Sequence, residues 1–101
     1  MKHFALVYDV VPNFVERRAP FRGAHLALLR DANARGMLLF AGPLGDPPDG
    51  ALLVIRAESA AAVEDFARAD PYVSEGLVTG WRVRPWNIVI GAETVAPEPL
   101  R

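Results

Sequence analysis

At 101 residues and 11.0 kDa the chain has the size of one domain, with no room for a second. An apolar share of 51% against 23% charged excludes a disordered chain, and eleven basic against twelve acidic residues, a net charge of −1, exclude the broad positive field that draws in nucleic acid or an anionic membrane. With no cysteine, disulfide scaffolds, thiol chemistry and cysteine-ligated zinc are excluded, and two histidines, His3 and His25, are too few for a histidine-rich metal centre.

Phe4, Leu6 and Tyr8 alternate with Ala5 and Val7, which predicts a strand covered on at least one face and ended by Pro12-Asn13. A long helical pattern follows over about residues 17–35. Phe21, His25, Leu28, Leu29 and Ala32 fall on one stripe of it, Pro20 belongs near its first regular turn, and Gly36 suits the left-handed position past its end. Residues 37–41 form a second apolar strand, stopped by Gly42-Pro43. A loop over residues 45–50 then leads into a third strand over residues 51–57, which makes a hairpin. Ser59 caps a second helix through Ala69, with Val63, Phe66 and Ala67 on its buried side. Asp70-Pro71 reads as the cap and first position of a short helical turn that ends near Gly76. The last strand spans residues 81–90, with a bulge or an edge expected at Pro85. Gly91, Pro97 and Pro99 mark a tail, so the expected division is a domain over 1–91 and a tail over 92–101.

The order β-α-β-β-α-β predicts an α+β, ferredoxin-like fold: a four-stranded antiparallel sheet with two helices on one face. No helix is left for the other face. Apolar groups nevertheless fall in both alternating sets, Phe4, Leu6 and Tyr8 against Val7, and Trp81 and Val83 against Trp86 and Ile88. A second copy of the chain is the simplest cover. No run approaches the ~18 apolar residues of a membrane span. The short apolar stretch at the start is closed by Asp9, which is unlike a signal peptide, so a cytoplasmic protein is expected.

Few residues carry chemistry by pattern. His25 shares a helix side with Arg18 and Arg22 and suits a general acid/base beside cationic groups. A histidine at a helix–sheet boundary, bonded to a carbonyl, explains the same pattern. Asp70 before Pro71 is explained by capping alone. Both roles are compatible if one carboxylate oxygen caps and the other reaches an imidazole nitrogen, which would set the tautomer of the ring. Asp46 and Asp49 flank Pro47-Pro48 without a calcium ligand series, and no phosphate-cradling loop, HExxH or GxSxG is present.

Four stretches in order resemble the YciI-like (YCII-related) family over about residues 1–90. They are Arg22-Gly23-Ala24-His25-Leu26, then Gly36-Met37-Leu38-Leu39-Phe40-Ala41-Gly42-Pro43-Leu44, then Asp70-Pro71-Tyr72-Val73 through Gly76, and Val83-Arg84-Pro85-Trp86. The resemblance implies a dimeric α+β barrel and a paired His and Asp in a cleft, here His25 and Asp70. It also implies proton transfer on small ring compounds, since one relative eliminates HCl from a hydroquinone-type ring and related barrels include lactone isomerases. The resulting expectation is an enzyme for a small anionic or phenolic compound, without a cofactor or metal. The compound would bind between the long helix, Gly42-Pro43 and Asp70-Pro71-Tyr72, with Arg22 supplying charge. A homodimeric, non-catalytic metabolite-binding domain is the alternative.

Overall fold

The structure is a computed structural model that describes residues 1–91. The expected tail over 92–101 lies outside the described residues. Apolar alternation sets strand β1 (Lys2–Val10), in which Phe4, Leu6 and Tyr8 are buried. It lies at the centre of an antiparallel sheet of order β2-β3-β1-β4, with β2 (Leu38–Leu44), β3 (Gly50–Ala57) and β4 (Val78–Pro85). Cross-strand partners share a face, so Leu6, Leu53 and Val83 form one row and Tyr8, Ala51 and Trp81 the next. Helices α2 (Arg22–Ala34) and α3 (Ala60–Ala69) cover this face. Leu6, Ile55, Val63 and Ala32 are fully enclosed between the layers. Each large aliphatic side chain buried there contributes about 1.5–3 kcal/mol. The α+β, ferredoxin-like architecture is as expected.

Several boundaries differ from the sequence pattern. The long helix is three pieces: α1 (Phe14–Arg17), a 3-10 turn (Ala19–Phe21) and α2. Pro20 lacks the N–H that would continue α1, and it takes an early position of the 3-10 turn instead. β2 does not stop at Gly42-Pro43. Gly42 pairs with Leu52 and Pro43 with Ala51, which an edge strand permits because its outer side needs no donor. β4 begins three residues earlier than expected and ends at Pro85, where Phe4 is its last partner. Its register shift lies opposite Asp9 and Val10, not at the proline. Trp86 and Ile88 therefore follow the strand instead of alternating along it.

The helix-free face carries Ala5, Val7, Leu52, Val54 and Phe40 together with Arg56, Arg82 and Arg84. It is mixed, not continuously apolar, because Trp81 and Val83 turn to the helix side. Phe40 is the most exposed aromatic, at 64%. No helix among the described residues is long and apolar enough to cross a membrane.

Candidate functional site

The chain builds the site from three segments that meet on the helix-covered face. Asp70 ends α3 and caps the short α4 (Pro71–Ser74), with Pro71 at the first helical position where a missing N–H costs nothing. The capping places its carboxylate under the sheet with no solvent exposure. Oδ1 accepts the Tyr72 backbone N–H at 3.0 Å and His25 Nδ1–H at 2.8 Å. Oδ2 accepts the Tyr8 hydroxyl at 2.8 Å. One oxygen therefore both caps the helix and holds the imidazole, while the other, expected to be free for the histidine, is taken by Tyr8. Three donors compensate a buried carboxylate that would otherwise be very costly.

His25 comes from the first turn of α2, on the side facing the sheet, with its side chain 12% exposed. The Tyr72 ring stacks on it at 3.7 Å between centroids and 8° between planes. Phe14 meets the Tyr72 ring edge-on, 5.4 Å between centroids. The imidazole is thus fixed by a hydrogen bond at one edge and an aromatic face on one side. With Nδ1–H donating to the carboxylate, Nε2 is the basic nitrogen of the neutral ring.

Burial raises the Tyr8 pKa far above the ordinary tyrosine value, and the charge of Asp70 and the hydrogen bond to it add to the shift, so the hydroxyl remains a donor. Tyr72 is also raised. Burial outweighs Arg18 and Arg22, whose positive charges favour the phenolate, while Asp70 adds to the rise. The Arg22 guanidinium lies near the Tyr72 hydroxyl, but no hydrogen bond of normal geometry forms, and that buried oxygen has no partner among the described residues.

Beside His25 is a cavity of ≈ 270 Å³. Arg22, Gly42, Pro43 and Tyr72, all expected at a ligand site, line it together with His25. Asp70 lies behind this wall, in contact with its residues. The continuation of β2 through Pro43 brings Gly42 and Pro43 to the cavity. Sequence reasoning missed Tyr8 as a partner of Asp70 and reached Arg18 only as a neighbour on the same helix side. A tyrosine in the buried set of a strand is a usable signal, because its hydroxyl must find a partner inside. Arg18 lines the cavity although the helix is broken between it and Arg22. Among the described residues no three His, Cys, Asp or Glu side chains converge as metal ligands.

Residues 1–87 match the family described as the YCII-related domain. The chain belongs to that family. It is 36% identical over 84 residues to the protein YciI of Escherichia coli, covering 74% of this chain and 86% of that one. It is 30% identical over 96 residues to an uncharacterised protein of Haemophilus influenzae, covering 86% of this chain and 98% of the relative. Among solved structures it is similar to the 5-chloro-2-hydroxyhydroquinone dehydrochlorinase TftG of Burkholderia phenoliruptrix, in complex with 2,5-dihydroxybenzoquinone. The TM-score is 0.71 and the identity 27%, over 84% of this chain and 93% of that chain. Family and structural likeness together support a small-molecule enzyme.

Proposed function

We propose that this YCII-family chain moves a proton on a small ring compound, with His25 as acid/base and Asp70 as the group that orients it. One observation carries the reading: a carboxylate without solvent exposure holds His25 Nδ1 at 2.8 Å on the wall of a cavity, which leaves Nε2 as the basic nitrogen of the ring. Nε2 takes a proton from a ring carbon or hydroxyl. The electron pair left behind can form a double bond as a leaving group departs with its electrons from a neighbouring saturated carbon (on a hydroquinone, in its keto tautomer), and the imidazolium then releases the proton to water. It can instead shift a double bond, and the imidazolium returns the proton at the far end. The first outcome is elimination and the second isomerisation. Asp70 fixes the tautomer and stabilises the imidazolium formed on the way. Arg22, Tyr72, Gly42 and Pro43 border the ligand. The scheme needs no cofactor. The similar dehydrochlorinase, which acts on a chlorinated hydroquinone, makes elimination from a substituted ring the first reaction to test.

The chain should be assayed on 5-chloro-2-hydroxyhydroquinone and on a panel of small lactones. His25→Ala is expected to lower turnover about a hundredfold to ten-thousandfold. Asp70→Asn keeps an acceptor for both N–H groups and can donate its amide to the Tyr8 oxygen, so it should fold yet lose most activity with the charge. Undiminished turnover in His25→Ala overturns the proposal. Binding of these compounds without turnover favours a metabolite-binding domain.

We also propose a homodimer through the helix-free face, where exposed Phe40 and Leu44 adjoin half-buried Val7 and Leu52.

A further inference from the structure

We infer that Arg18, Arg22 and the Tyr72 hydroxyl form an oxyanion-binding edge of the cavity, and that its ligand is a single-ring compound bearing an anionic oxygen, a carboxylate or a phenolate. The inference rests on reading this cavity as the place where His25 acts, and it names the class of substrate.

The first argument is charge balance. Among the described residues the cavity lining holds two arginines and His25 but no aspartate or glutamate. Ion pairs among the described residues join His25 to Asp70, Arg35 to Asp31, Arg68 to Asp65 and Arg82 to Asp9. Arg18 and Arg22 belong to none of them. Asp70, behind the cavity wall, is enclosed and already accepts three hydrogen bonds. Two guanidinium groups at the rim of an apolar cavity thus lack a counter-charge among these residues, and a ligand oxyanion supplies one.

The second argument is placement. Arg18 is half-buried and lies over the Phe14 ring, 5.4 Å from its centroid, so it is held before any ligand arrives. Arg22 opens α2, whose first turn has no acidic residue and no side-chain cap. A cation at the positive end of a helix works against helix stability, so the local arrangement favours an incoming anion over the fold itself. The Tyr72 hydroxyl, which feels the charge of both, is buried without a partner among the described residues. It retains its proton and needs an acceptor.

The third argument is size and lining. At ≈ 270 Å³ the cavity falls just short of the roughly 300 Å³ at which pockets for drug-sized ligands begin. Leu26, Leu29 and Leu53 give it apolar walls suited to one ring. With the oxyanion at the arginine edge and the ring on these leucines, a ring atom comes next to His25. Negative charge left on the ring by proton removal then spreads toward the oxygen that the arginines hold.

Calorimetric titration of the full chain tests this with four probes. Benzoate and 4-nitrophenolate present the carboxylate and phenolate forms. Benzamide keeps the shape of benzoate without its charge, and sulfate keeps the charge without the ring. At least one of the two ring anions is expected to bind, and the tighter one identifies the oxyanion type. Benzamide should bind at least about tenfold more weakly, and the R18Q/R22Q double variant should lose about tenfold to a hundredfold in affinity for the anion alone. Circular dichroism checks that the variant is folded, and R18Q and R22Q singly replace it if it is not. Failure of both ring anions to bind at millimolar concentration overturns the inference. So do benzamide binding equal to benzoate, sulfate competing as well as benzoate, or an unchanged double variant. His25→Ala should still bind the anion. Anion binding without turnover of any compound therefore supports this edge and removes the proton-transfer reading, while turnover without anion selectivity does the reverse.

Discussion

Asp70 concentrates most of the site in one side chain. Its two oxygens tie together a strand tyrosine, a helix histidine and the first amide after Pro71, so the sheet, α2 and α4 meet at a single buried charge. Tyr8 is the member of this set that can be altered with the least change of shape. Tyr8→Phe leaves Oδ2 buried without its donor, at a cost of about 1.5–3 kcal/mol to folding, measured by urea unfolding at neutral pH. The same hydroxyl gives the protein an alkaline limit. Its folded pKa is raised above the model-compound value of 10.0, so its contribution to stability is complete below that value. As pH rises through it, the unfolded chain releases a proton that the folded chain keeps, and stability falls by about 1.4 kcal/mol per pH unit for each such tyrosine. Tyr72 acts in the same direction. Unfolding curves from about pH 8 to about pH 11 should be distinctly flatter in Tyr8→Phe than in the wild type. Equal slopes would show that the Tyr8 hydroxyl is not held as described.

At the level of elements, two glycines show how different constraints position the site. Gly36 follows α2 at φ 77, and an added Cβ there meets nothing within 4 Å. Gly36→Ala therefore carries only the left-handed backbone penalty, roughly 1 kcal/mol. Gly50 opens β3 with an ordinary backbone, but a Cβ there falls 2.7 Å from the Tyr8 carbonyl oxygen. Gly50→Ala must push β3 away from β1 at the residue that supports Asp70. It should destabilise more than Gly36→Ala and, unlike it, lower turnover and shift the NMR signals of Tyr8 and His25. Thermal melts and spectra of the two variants check this, and equal effects would contradict the close strand approach. Helix boundaries follow the same logic of local chemistry. Pro20 divides what apolar spacing joins into one helix, while Pro43 fails to end β2 because that strand lies at the sheet edge.

At the scale of the whole molecule, the described residues cover one sheet face with helices and leave the other to arginines and scattered apolar groups. Phe40 and Leu44 lie on the edge strand, where a second copy could bury them, and Arg82 is partly neutralised by Asp9 at 3.4 Å. Sedimentation equilibrium at micromolar concentration should give a mass twice 11.0 kDa, and Phe40→Lys should shift it toward the monomer. A wild-type monomer at that concentration would remove the dimer and, with it, the barrel that two such sheets would form.

The sequence by itself determined the order of elements, the caps at Ser59 and Asp70 and the left-handed Gly36, because each depends on the residue and its immediate neighbours. It also contained the separate residues of the site, but not their contact. His25 and Asp70 are 45 positions apart, and no periodicity fixes a distance across that gap. Only the tertiary structure decided that β1, α2 and α4 come together so that Tyr8, His25 and Tyr72 converge on one carboxylate. It likewise decided that Arg18 reaches the same cavity as Arg22, across a break that helical spacing does not foresee. The reason is physical: caps and turns are satisfied by hydrogen bonds a few residues long, whereas a buried charge is satisfied by whichever donors the packed layers bring to it.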